Sequence, residues 1–304
     1  FYVANKLYGV TFTELKDAPK YNPEVTVYEV KDAAGEHLAV FMTDYFPRAT
    51  KRQGAWMSEF KGACYYDSIN ERPIVYNVGN FTRPAGDMPA LLTIDEVETT
   101  FHEFGHGLHG LLSQVKYSSL SGTSVYRDFV ELLSQFNENY LIEKEFLDSF
   151  AKHYITGEPM PQELINKIIA SAQFGAAYAC VRQLSFGYMD MAWHTITKPV
   201  TDVFEFELNA IKDVQSFNPV EGCVMCPQFS HIFSGGYAAG YYSYKCAEVL
   251  DADAFAKFKE DGIFNQETAK SYRENILSKG GTENPKKNKK NLLTNGSRCD
   301  TIRM

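Results

Sequence analysis

The sequence is poor in cysteine and tryptophan, has no long apolar run and carries no excess of positive charge, and each lack removes a class of protein. Six cysteines in 304 residues do not make a disulfide-dense scaffold. Five of them sit in apolar or aromatic company, where a free thiol is ordinary. A reducing compartment is therefore expected, the cytoplasm, with the periplasm as the alternative. The alternative stands because the chain starts at Phe1 with no initiator Met, basic n-region, apolar h-region or cleavage site, as one cut from something longer would. No run approaches the ~18 uninterrupted apolar residues of a membrane span, so none is expected.

Basic residues number 30 against 38 acidic, a net charge of -8 that is unevenly spread. Residues 285–304 hold six basic side chains and one acid, a charge of +5, which leaves 24 basic and 37 acidic residues and -13 in residues 1–284. An acidic body disfavours nucleic acid and anionic membrane surfaces as partners. The Lys- and Asn-rich tail has no apolar period and reads as a solvated, disordered end. Over the whole chain 44% hydrophobic and 22% charged side chains, with 22 Phe and 19 Tyr, are an ordinary globular composition.

The expected fold is mainly α with a small antiparallel β-sheet near the N-terminus. After a helix end, β-rich runs cover 25–31 and 38–45 around the turn Asp32-Ala-Ala-Gly35, and 73–81 reads as a further strand, so the sheet occupies about 25–81. From about 90 to 284 helical periodicity takes over, at 94–114, 128–150, 161–193 and 237–259.

Chemistry concentrates at His102-Glu103-Phe104-Gly105-His106. Thr93 and Glu96 form a capping-box pattern and Asp95, Glu96 and Glu98 add early negative charge, so a helix start is well marked. On a helix, positions i and i+4 share a face, and His102 and His106 can point at one zinc ion. Glu103 lies about 100° around, beside the metal, where it can take a proton from the attacking water and pass it to a leaving amine. Gly105 and Gly107 each cost about 1 kcal/mol against Ala, which makes sense where something must approach the helix backbone closely. His109 is expected to pack or support, since a straight helix cannot bring three rings around one ion. His109 and Leu112 also break the longer metzincin pattern. A third ligand is better sought on a second helical stretch, where spacing does not choose between Glu131 and Glu138.

Four segments, PALLTIDEVETTFHEFGHGLHGLL, RDFVELLSQFNENYL, FGAAYACVRQLSFGYMDMAWH and FSHIFSGGYAAGYYSY, resemble the M3 metallopeptidases, the group of thimet oligopeptidase, oligopeptidase A and dipeptidyl carboxypeptidase. The likeness covers nearly all of residues 1–284, and the wording is nearest the dipeptidyl carboxypeptidase branch. It implies a zincin-type helix in a catalytic region, His102, His106 and Glu131 as ligands of one zinc ion, and Glu103 as general base. It also implies that His231, Tyr237 and Tyr244 contact the scissile carbonyl or adjoining backbone, that Tyr241 is a further substrate contact, and that Gly235 and Gly236, with Gly240, let the segment hinge over bound peptide. The sequence departs from the family at Leu133, where Pro is usual, in lacking a large helical N-terminal half, and in its Lys/Asn tail.

The expected activity is zinc-dependent hydrolysis of short peptides with release of C-terminal dipeptides, by a monomer normally accompanied by that N-terminal half. Internal cleavage of oligopeptides is the alternative within the family, and a catalytically incompetent zinc- or peptide-binding remnant is the alternative of another class. Cys223-x-x-Cys226 lacks a second ligand pair and a βαβ context, and reads as packing thiols. His37, His153 and His194 read as core or surface histidines.

Overall fold

A computed structural model describes residues 1–285 and 287, so almost all of the basic tail lies outside the described residues. Helix α1 (Tyr2–Tyr8) is followed by strands β1 (Thr11–Glu14), β2 (Thr26–Lys31), β3 (His37–Asp44), β4 (Trp56–Lys61), β5 (Cys64–Tyr66), β6 (Ile69–Glu71) and β7 (Ile74–Val78). The expected turn between β2 and β3 is held by Asp32, whose Oδ1 accepts the N–H groups of Ala34 and Glu36, with Gly35 at φ 84°. Five strands form one sheet in the order β1-β2-β3-β7-β4, and β5 and β6 form a separate hairpin. The large sheet is mixed, because β3 and β7 run parallel from Val40 opposite Ile74 to Asp44 opposite Val78. Alternation of buried and exposed residues carries no strand direction; here β4 and the hairpin intervene, so β7 enters between β3 and β4 from the parallel side.

Helices follow: α2 (Ile94–Leu111), α3 (Arg127–Val130), α4 (Leu132–Glu138), α5 (Lys144–Phe150), α6 (Gln162–Gln173), α7 (Ala176–His194), α8 (Val203–Ile211), α9 (Ser230–Phe233), α10 (Ser243–Asp261) and α11 (Gln266–Tyr272). The capping box of α2 is formed, with Glu96 N–H donating to Thr93 Oγ1 and Thr93 N–H to Glu96 Oε2. The stretch expected as one helix over 128–150 is broken at Glu131, between α3 and α4, and again before α5. The stretch at 161–193 breaks at Gly175, which takes φ 73°. The last one begins at Ser243 rather than 237, because its first six residues form a loop. Leu133 is the second residue of α4, a position where Pro is also tolerated, so its presence leaves the helix start in place. No single helix among the described residues is long and apolar enough to cross a membrane, although the bent pair α6 and α7 together has the length and composition.

Helix α2 lies between the sheet and α4, and its glycines explain how closely. A Cβ on Gly105 would stand 2.4 Å from the Leu133 carbonyl oxygen, whereas one on Gly107 would meet only side chains, Asn77 at 3.2 Å and Phe41 at 3.4 Å. The main core gathers Phe41, Phe104, Phe136, Tyr140, Phe258 and Tyr272 from the sheet, α2, α4 and the 3-10 turn Asn139–Ile142 after it, α10 and α11, and Phe136 stacks on Tyr272 at 4.5 Å. A smaller core forms where Met189 of α7 meets Cys226, Phe229 and Ile232. Cys226 is buried and accepts the Trp193 indole N–H, while Cys223 is exposed; all five described cysteines are free. His37 and His153 are exposed, and His194 lies beside Asp190.

Candidate metal centre

His102 and His106 lie one turn apart on α2, and both direct Nε2 toward Glu131, the residue at the break between α3 and α4. The Glu131 Oε2 atom is 3.3 Å from His102 Nε2 and 3.1 Å from His106 Nε2. Ligand atoms bound about 2.0–2.1 Å from a tetrahedral ion lie about 3.3 Å apart, a spacing that both of these separations match. The donor set, two imidazoles and one carboxylate, is of the kind that catalytic rather than closed structural zinc sites use, and all three residues line the cleft.

Two of the three candidate ligands are held from behind, whereas His106 has its Nδ1 buried without a partner. His102 Nδ1 lies 2.6 Å from Glu138 Oε1, which fixes its ring and leaves Nε2 for the metal. The two acids that spacing could not separate thus take different stations, Glu131 on the metal side of His102 and Glu138 on the far side. Ser134 Oγ donates to Glu131 Oε2, and the Tyr237 hydroxyl donates to Oε1. Burial pulls the His102 imidazole down, but the two carboxylates outweigh it and push it up to about 10. Burial also opposes ionisation of Glu131, yet the His106 and His102 rings hold its carboxyl far below the usual range. His109 is fully buried with neither ring nitrogen partnered, and burial pulls it down to about 3; it takes no part in the ligand set.

Glu103 faces the same cleft. Its Oε2 is buried without a partner, and burial raises its carboxyl above the ordinary value, with the nearby imidazoles only partly offsetting this. A carboxylate with an elevated pKa and a free oxygen is suited to accept a proton.

The cleft, of about 720 Å³, is also lined by His231, Gly235, Tyr237 and Tyr244. The Tyr237 and Tyr244 rings stack at 5.2 Å, and His231 lies 6.0 Å from Tyr237. Burial pushes both phenols up, with the Glu131 charge adding to it, so they stay protonated donors. Tyr241 and Gly236 do not line the cleft: Tyr241 packs behind it against Phe186 and Phe229, and Gly236 abuts the Arg127 guanidinium. Two cations that sequence reasoning overlooked, Arg52 and Arg127, line the cleft, and Arg127 lies 4.5 Å from the Tyr237 ring centroid. Arg127 precedes Glu131 by four residues, a helical spacing that could have flagged it; Arg52 carries no such signal.

Residues 1–301 match the sequence model described as Peptidase family M3. Oligopeptidase A of Escherichia coli (strain K12) is 45% identical over 289 residues, covering 94% of this chain and 42% of that protein. Dipeptidyl carboxypeptidase of the same organism is 40% identical over 287 residues, 93% of this chain and 42% of the relative. Organellar oligopeptidase A, chloroplastic/mitochondrial, of Arabidopsis thaliana is 40% identical over 301 residues, 94% and 38%. The chain thus spans about two fifths of the length of these relatives.

Proposed function

This chain belongs to peptidase family M3, and from that membership we propose that residues 1–284 form the catalytic region of a zinc-dependent peptidase acting on short peptides. The observation that carries the reading is the convergence of His102 and His106 Nε2 on Glu131 Oε2, at 3.3 and 3.1 Å, with the unpartnered Oε2 of Glu103 beside them. Zinc held by those three residues supplies Lewis acidity toward the scissile carbonyl. Glu103 takes the proton of the attacking water and delivers it to the leaving amine. Tyr244 and His231 donate to the carbonyl oxygen as negative charge develops on it, as does Tyr237 once its hydroxyl turns from Glu131. Stacking and burial keep the phenols preorganised, which is where such donors gain their effect.

The finer proposal is release of C-terminal dipeptides, since Arg52 and Arg127 offer guanidinium groups in the cleft that a free carboxylate can engage. Internal cleavage is the second reading, favoured by the 45% identity to a protein named oligopeptidase A. Product analysis on matched peptides with free and amidated C-termini separates them: dipeptide release lost on amidation supports the first, and unaffected internal cleavage the second.

A quenched-peptide assay tests the common core. Glu103→Gln is expected to abolish turnover with zinc content unchanged, and near-normal activity would remove Glu103 from the mechanism. The same assay, run on this chain and on one with the upstream half of its relatives supplied, distinguishes a peptidase from a zinc-binding remnant. Cleavage by the extended chain alone would favour the remnant reading for residues 1–304.

A further inference from the structure

The loop that carries Tyr237 and leads to Tyr244 is gripped from behind by a buried carboxylate that the chemistry above does not use. Asp190, near the end of α7, is fully buried. Its Oδ1 accepts the Ala239 N–H at 2.9 Å and its Oδ2 accepts the Tyr241 N–H at 2.9 Å. His194 Nδ1, one turn further along α7, lies 2.9 Å from Oδ1. Ala239 takes φ 51°, the left-handed region that a residue with a Cβ rarely enters. A left-handed residue within a turn swings neighbouring N–H groups toward one side, making a concavity suited to an anion. Here the anion is the protein's own.

We infer that Asp190 is a positioning residue for the reaction, which sets the height of the Tyr237–Tyr244 loop over the metal site by clamping the backbone between the two phenols. The inference rests on the proposed peptidase reading for its catalytic consequence, but not for the clamp itself. Few other ties hold the middle of the loop. Tyr237 N–H reaches the His231 carbonyl at 3.1 Å and Gly240 N–H the Tyr237 carbonyl at 2.8 Å, both bonds close in sequence, and the loop is largely exposed. Met189, beside Asp190, belongs to the small core with Phe229 and Ile232, whereas the helices bearing the metal ligands belong to the main core. The Asp190 carboxylate therefore fixes the donor-bearing loop to one body, while the Tyr237 hydroxyl reaches Glu131 on the other. The expected hinge in the Gly-rich segment is correspondingly confined to residues ahead of Ala239, where Gly235 and Gly236 lie.

Residue-resolved amide exchange on the unmodified chain tests the clamp. Ala239 and Tyr241 are expected to exchange at least about tenfold more slowly than Ala238, whose N–H has no partner among the described residues. Equal rates at the three positions would overturn the inference, whatever the peptidase activity. Asp190→Asn turns an NH2 donor toward one of the two N–H groups. It is expected to raise exchange at 239 and 241 and to lower kcat by about tenfold or more, leaving KM and zinc content little changed. Faster exchange with unaltered kcat, or a fall in zinc content and thermal midpoint alongside kcat, would reduce Asp190 to a residue of general stability. Failure of the unmodified chain to cleave peptides would count against the peptidase reading alone, because the exchange comparison does not depend on turnover.

Discussion

Gly105→Ala should weaken the zinc site more than it weakens the fold. The added methyl would stand 2.4 Å from the Leu133 carbonyl oxygen and 2.7 Å from Ser134 Cα, and both are backbone, so no side chain can swing aside. Relief requires α2 and α4 to part by several tenths of an ångström. Overpacking of this kind costs about 1–3 kcal/mol, and the better helix propensity of Ala returns about 1. The net loss of stability is therefore about 0–2 kcal/mol, read as a lower thermal midpoint. The proposed zinc site is less forgiving, since the helices that part are those that hold its candidate ligands at 3.1 and 3.3 Å. Displacement of that order is comparable to losing a supporting contact, which typically costs about 10–100-fold in metal affinity. Competition against a chelator of known affinity measures the drop, with Gly107→Ala as the control, since its methyl meets side chains rather than backbone, the Asn77 amide at 3.2 Å and the Phe41 ring at 3.4 Å. Wild-type zinc affinity in Gly105→Ala would refute the claim that this glycine sets the distance between the ligand-bearing helices.

Glu138→Ala should lower zinc affinity by about 10–100-fold by freeing the far side of the His102 ring, and Glu138→Gln by less; chelator competition reads both. Asp44 is buried against Arg48 and Lys51, and although burial opposes it, hydrogen bonds from those cations hold its carboxyl below the ordinary value. A depressed folded-state pKa means this stabilisation is complete above about pH 4 and is lost as pH falls through the folded value. Urea unfolding from pH 6 to pH 2 should therefore show a steeper acid limb for the wild type than for Asp44→Asn. That variant should also be less stable by about 3–5 kcal/mol at neutral pH, where Lys51 stays buried without its carboxylate. Glu59 behaves oppositely: burial pushes its carboxyl up to about 7, with Ser121 only partly opposing. Its contribution is complete below about pH 4.5 and is lost as pH rises through 7, so Glu59→Gln should be the more stable protein at pH 8 and a wild-type advantage there would contradict the assignment.

Particular residues explain which parts of this molecule can be read from sequence. The α2 helix is legible because its start signal, Thr93 with Glu96, and its i, i+4 histidines are local, and local hydrogen bonds and helix geometry suffice to realise them. Glu131 is legible only as one of two carboxylates, because its choice over Glu138 depends on a break in the helix between α3 and α4. The same 128–150 periodicity would accommodate a straight helix, whereas α4 starts afresh after Glu131 and sets its Leu133 carbonyl against Gly105, 28 residues earlier in the chain. Direction in the sheet is hidden for a similar reason: the alternation that marks β3 and β7 is identical for parallel and antiparallel neighbours. Tyr237, Tyr241 and Tyr244 show the remaining limit. Spacing groups the three as equivalent, yet Tyr237 and Tyr244 face the cleft and Tyr241 packs against Phe186 and Phe229. What separates them is the left-handed turn at Ala239 and the carboxylate of Asp190, which lies 49 residues earlier in the chain. Composition and periodicity report which faces are buried, whereas the placement of a reactive atom depends on contacts between distant segments. The candidate metal ligands fall on the legible side because two of them share one helix turn, and the loop bearing Tyr237 falls on the other because Asp190 of α7 holds its backbone.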